Sequence, residues 1–207
     1  MNDHNILAQA GSIFDSPEKW NAFFKIQTQI PAIIDHWLRI GSNALREHFK
    51  LLPSPLWECS EWGGARDSRW YLSEFGPRSI GIGFGWSEWE LHLHFNYSDL
   101  DRYDQEKAIQ HLGSSEYYEV QSLFGSHSVM PWRKGDGCIA SDRSFNPYGD
   151  TSDSNMRNRI IAWHAGNKTD DFVEKMAKKV REITENTKIT ALIRDLNNRS
   201  LRASNIL

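Results

Sequence analysis

Apolar residues recur every three or four positions in the first quarter of this chain. Trp20, Phe23 and Phe24 come first, then Ile33, Ile34, Trp37, Leu38, Ile40, Ala44, Leu45 and Phe49. That is the period of a helix with one buried face. Ser16-Pro17-Glu18 supplies the start: a capping hydroxyl, proline at the first helical position and an acid in the first turn. Pro31 lacks the amide proton that an uninterrupted helix needs. It therefore predicts a helix over about 17–28 that is kinked or restarted and then runs to about residue 50.

The period changes from 3.6 to 2 over residues 56–97. Trp57 opens a short segment, Gly63-Gly64 breaks it, and Arg69 to Phe75 reads as a second strand. After a Gly76-Pro77 turn, Ser79 to Tyr97 reads as one or two more. Gly81, Gly83 and Gly85 alternate with Ile80, Ile82 and Phe84, which leaves one face bare for a close approach or a coiled strand. In WSEWELHLHFNY, residues 86–97, one face carries Glu88, Glu90, His92 and His94. The other carries Trp89, Leu91, Leu93, Phe95 and Tyr97. The expectation is a half-buried strand with its charged side facing outward.

Downstream, Asp101 to Phe124 is compatible with helix but split at Gly113, and residues 125–154 show little period. They are expected to form a long irregular loop. A short helix is predicted over 155–164. Thr169-Asp170-Asp171 then opens a longer one, with Phe172, Val173, Met176, Ala177, Val180 and Ile183 as its stripe. Asn186-Thr187 separates this from a last stripe of Ile189, Leu192, Ile193 and Leu196. The order predicts an α+β fold: N-terminal helices, an antiparallel sheet from local hairpins, a long loop and C-terminal helices. One domain over residues 1–207 is expected, with a flexible stretch at 1–15 and a frayed end at 198–207.

Composition narrows the class. Nine Trp, ten Phe and six Tyr make the chain rich in aromatics, with Trp concentrated between Trp57 and Trp89. Such rings build a core or an adhesive surface, and the core is the commoner use. A formal net charge of −3 argues against a surface that is wholly a nucleic-acid footprint. The mild basic excess lies C-terminal to Lys168. Cys59 and Cys138 have no zinc or disulfide spacing. No leader and no apolar run of about 18–20 residues is evident, so a soluble cytoplasmic protein is expected.

Three kinds of chemistry are open. His92 and His94 on one strand face, with Glu90 and Glu88, are the residues for a divalent metal and a metal-dependent hydrolase or nuclease. Lys175, Lys178, Lys179 and Arg181 are the residues for phosphate capture, diluted by Asp170, Asp171, Glu174, Glu182 and Glu185. Trp132, Arg133 and Lys134, with Trp163, are the residues for a protein partner, because Trp and Arg are frequent interface anchors. The chain has no GxSxG elbow, P-loop, dinucleotide fingerprint, HExxH or EF-hand loop.

From Trp57 onward the layout resembles the accessory C-terminal region of PD-(D/E)XK-type nuclease proteins of prokaryotic defence loci. The resemblance lies in SIGIGFGWSEWELHLHF, a helix, the loop tryptophan of MPWRK, Trp163 in IIAWHAG and the closing TDDFVEKMAKKVREI. Such nucleases carry an acid-x-Lys triplet, whereas Glu88-x-Glu90-x-His92 has histidine where the lysine would stand. The resemblance therefore implies a regulatory or sensor module of host–phage conflict and not nuclease activity. The leading expectation is a non-catalytic module without cofactor that binds a protein or small ligand. A homo-oligomer is open, and no membrane association is expected.

Overall fold

The computed structural model describes residues 13–52, 54–62, 64–85, 90–95, 102–124, 137–142, 145–149 and 153–202. It is an α+β fold: a long N-terminal helix, a five-stranded antiparallel sheet and a C-terminal group of helices. Among the described residues no helix is long and apolar enough to cross a membrane.

Helix α1 spans Pro17–Leu51. Ser16 caps it, its hydroxyl accepting from the Lys19 amide at 3.3 Å. Pro31 lies inside it and does not restart it, so the expected restart is corrected. The hydrogen bond that Pro31 forfeits would have gone to the Gln27 carbonyl. Residues 21–29 are exposed, so water can serve that carbonyl instead.

Strands β1 (Trp57–Trp62), β2 (Gly64–Leu72), β3 (Gly81–Gly85) and β4 (Glu90–His94) pair as successive hairpins. The fifth strand, β5 (Cys138–Asp142), adds to β4 after a helical excursion. It corrects the loop expected over 125–154 at residues 138–142 alone, since 125–136, 143–144 and 150–152 lie outside the described residues: Cys-Ile-Ala-Ser-Asp is too short to show a period, yet Ile139 and Ala140 are buried. The excursion holds α2 (Gln105–Leu112), a 3-10 turn at Ser115–Tyr117 and α3 (Tyr118–Ser122). Asp104 caps α2 by accepting from the Lys107 amide at 3.0 Å, and Gly113 closes it. Gln105 then donates to the Cys138 carbonyl at 2.7 Å, tying α2 to the sheet edge.

Helices α4 (Ser154–Asn167), α5 (Thr169–Thr184) and α6 (Thr187–Ser200) complete the chain. Two glycines set how closely α1 approaches them. A Cβ on Gly41 would lie 2.7 Å from the Ala165 Cβ and 2.8 Å from the Phe172 ring. One on Gly166 would run into the Trp37 indole. Of the frayed end expected over 198–207, residues 203–207 lie outside the described residues, and residues 198–202 are ordered. Helix α6 runs to Ser200, Leu201 bridges to Tyr103, and the Arg202 amide donates to the Arg102 carbonyl at 3.0 Å.

One sheet face packs on the helices through Trp70, Leu72, Ile82, Phe84, Leu91 and Leu93, all at most 1% exposed. Each such side chain stabilises the fold by about 1.5–3 kcal/mol. Buried Asn197 stitches α6 to the segment before β3. Its Oδ1 accepts from the Ile80 amide at 2.8 Å and the Tyr103 hydroxyl at 3.2 Å. Its Nδ2 donates to the Ile80 and Ile193 carbonyls at 3.1 and 2.9 Å. The Trp57, Trp62 and Trp70 side chains are core, as their clustering suggested.

Candidate functional site

The alternation in β4 places Glu90, His92 and His94 on the face opposite Leu91 and Leu93, as the sequence period requires. The expectation that this charged face points outward is corrected: Glu90 is 4% exposed, and His92 and His94 are fully buried. The bare glycine face accounts for part of this. Gly83 pairs with His92, and Gly81 with His94. A Cβ on Gly83 would sit 2.7 Å from the His94 Cε1 and 3.3 Å from the His92 Cδ2. What approaches the bare strand is thus a pair of imidazoles.

The surroundings of these rings are aromatic and cationic. The Trp62 indole stacks on the His94 ring with centroids 3.4 Å apart, and His92 meets His94 edge to face at 5.3 Å. Glu90 accepts from the Ser141 hydroxyl on β5. Arg69, 1% exposed on the same face, donates to the Pro77 carbonyl at 2.5 Å and to the Ser79 carbonyl, with its guanidinium 5.7 Å from the Tyr71 ring centre. Burial pushes the His92 ring down to about 3. Burial first, then the Arg69 and His92 charges, holds His94 well below the usual imidazole range. Glu88 lies outside the described residues. Among the described residues no three His, Cys, Asp or Glu side chains converge as metal ligands.

Trp132, Arg133 and Lys134 also lie outside the described residues. Trp163 is on α4 and exposed, edge-on to His164 at 5.1 Å. With Met156, Arg159 and Ile160 they line a shallow depression. His164 stacks on Tyr148 at 3.7 Å and approaches Asp171 at 3.1 Å. The four basic residues on α5 have separate surroundings. Lys175 lies 5.4 Å over the Tyr148 ring, Lys178 is exposed, Lys179 is 3.8 Å from Glu182, and Arg181 reaches α1.

Arg181 opens on a feature that periodicity does not reveal. Between the end of α1, strands β1 and β2 and the end of α5 lies a cavity of about 390 Å³. Its walls are Phe49, Trp57, Cys59 and Trp70, with Arg181, Thr184 and Glu185 from α5. Trp57 is fixed by its indole N–H, which donates to the Thr190 hydroxyl at 3.3 Å. Phe49 meets Trp70 edge to face at 5.2 Å. Among the described residues the Trp70 Nε1–H has no hydrogen-bond acceptor. Burial pushes the Cys59 thiol up to about 12, so it behaves as a small apolar side chain and not as a thiolate.

The charge at this cavity has a defined state. Arg181 Nη2 contacts His48 Nε2 at 2.7 Å, and burial together with the Arg181 charge lowers the His48 pKa. His48 is therefore neutral at pH 7 and accepts the Arg181 N–H. Among the described residues no carboxylate pairs with Arg181, although Glu185 lies one turn away. A guanidinium carries five N–H donors, and one goes to His48.

No protein-family model, curated protein or solved structure matches the chain.

Proposed function

We propose that the protein is a non-catalytic binding module whose ligand is a small planar anion, held in the cavity between α1, β1, β2 and α5. One observation carries the reading: Arg181, with a neutral histidine and no carboxylate as its described partner, lines an aromatic-walled cavity. Aromatic walls offer flat apolar area, and a guanidinium recognises carboxylate or phosphate oxygens with paired hydrogen bonds. About 390 Å³ suits a ligand of one or two fused rings. The lining favours binding over chemistry, since the Cys59 thiol is held protonated.

Calorimetric titration with indole-3-carboxylate, and with indole as its neutral counterpart, tests this. The carboxylate is expected to saturate one site in the range of about 10–100 µM, with indole at least about tenfold weaker. Arg181→Met should weaken the carboxylate by more than about tenfold and leave the melting temperature within a few degrees. Arg199→Met, which removes a guanidinium already paired with Glu116 and Asp195, should leave binding unchanged. Equal affinity for both probes, binding indifferent to Arg181, or no saturable binding below millimolar overturns the reading.

A further inference from the structure

The cavity at the end of α1 carries a second charge. Glu185 lines it together with Arg181, one helical turn further along the chain. Side chains four apart on a helix stand about 5–6 Å from one another at Cβ. The two nevertheless do not pair: among the described residues the ion pairs of α5 are His164–Asp171 and Lys179–Glu182. Arg181 turns to His48, and no described residue bonds the Glu185 carboxylate. Glu185 is also the residue that caps the C-terminal end of α5, the negative end of the helix dipole. Depth separates these charges from the rings. Trp57 and Trp70 are 4% and 1% exposed, whereas Arg181 is half-buried and Glu185 exposed. The walls thus take a ligand ring first, with its charged head at the mouth.

We propose that the ligand of this cavity is an aromatic α-amino acid, with its carboxylate on Arg181, its ammonium on Glu185 and its ring among Trp57, Trp70 and Phe49. The inference rests on the ligand reading above and deepens it by adding a second, opposite charge to the anion. A carboxylate alone on Arg181 stands one turn from the Glu185 carboxylate, and like charges at that spacing repel. An ammonium on the adjoining carbon reverses the sign of that interaction.

Charge balance favours the zwitterion over either half of it. With His48 neutral beside them, the charged residues of the lining are Arg181 and Glu185, so the walls sum to zero. A simple anion leaves Glu185 unanswered, and a simple amine leaves Arg181 unanswered. The head of an amino acid answers both. Its carboxylate takes guanidinium N–H groups in pairs, and its ammonium brings three donors to a carboxylate and the end of a helix. One carbon separates its two charged groups, and both side chains are long enough to converge on them. The rest of the lining is suited to an aromatic side chain: two indoles, a phenyl ring and a thiol that burial keeps protonated.

Calorimetric titration of the full chain with L-tryptophan, indole-3-propionate and tryptamine tests this. The second probe lacks only the ammonium, and the third only the carboxylate. L-tryptophan is expected to bind at least about fivefold more tightly than either. Glu185→Gln should bring L-tryptophan to within about twofold of indole-3-propionate and bind indole-3-propionate at least as tightly as before. The side chain is exposed, so the melting temperature should not move. Glu182→Gln, at a residue paired with Lys179 and outside the lining, should change neither affinity. Equal affinity for L-tryptophan and either analogue, or a preference for L-tryptophan that survives Glu185→Gln, overturns the inference. Binding of indole-3-propionate that still depends on Arg181 then leaves the anion reading standing. If none of the three probes binds below millimolar, both fall.

Discussion

The two faces of the sheet are both buried at β3 and β4, but they are buried by different means. The helix-facing side is apolar: Trp70, Ile82, Phe84, Leu91 and Leu93 need only shape and area. The other side holds Arg69, Glu90, His92 and His94, whose polar atoms must be neutralised or bonded before burial is tolerable. Arg69 meets this with backbone carbonyls, Glu90 with the Ser141 hydroxyl, and the two histidines by staying uncharged. An apolar face fails when volume is removed. A buried polar face fails when charge is added.

The largest effect is expected from Phe84→Ala on the apolar face. It should cost about 3–5 kcal/mol in urea unfolding, with the denaturant slope unchanged. If the loss is under about 1 kcal/mol, the apolar face is not the principal source of stability.

The next effect separates the faces by pH. Both histidines have folded pKa values below the ordinary 6.5, so the unfolded chain binds more protons once pH falls under that value. Their contribution is fully present above 6.5 and is lost progressively as pH drops towards the folded value of His92, about 3. At about 1.4 kcal/mol per pH unit per histidine, the pair should lose roughly 2–3 kcal/mol between about pH 7 and pH 5.5. His94→Leu should halve the slope of stability against pH over this window. An unchanged slope would mean that the imidazoles are not the groups taking up protons.

The smallest effect probes the fit between the glycine strand and the rings. Gly83→Ala should cost about 1–3 kcal/mol, because its methyl group meets the His94 ring at 2.7 Å. His94→Ala in the same chain should recover part of that cost, giving a coupling energy of about 1 kcal/mol in a double-mutant cycle. Additive losses would show that Gly83 answers to something other than the histidine ring.

Much of the architecture is legible in the sequence because it rests on local signals. Ser16-Pro17-Glu18 marks the start of α1, Asn186 separates α5 from α6, and the alternating glycines mark β3 as a strand with one bare face. The misreadings have a common cause. Strand β5 is recognisable only through its partner β4, and the continuity of α1 through Pro31 depends on solvent access at Gln27. The cavity joins residues from the end of α1 to Glu185, distant in sequence, so no spacing announces it. Arg181 was visible as one basic residue among four, but not its partner His48, 133 positions away.

For the strand Glu90–His94, the sequence by itself determined which side chains share a face, because a pleated backbone turns successive residues to opposite sides. Whether the polar face would meet water or protein was decided only by the tertiary structure. Burial depends on what the rest of the chain brings against that face, and a period of two carries no information about it. The same holds for α1. Its stripe is written evenly from Trp20 to Leu45, and only packing divides it into a covered half and an uncovered one.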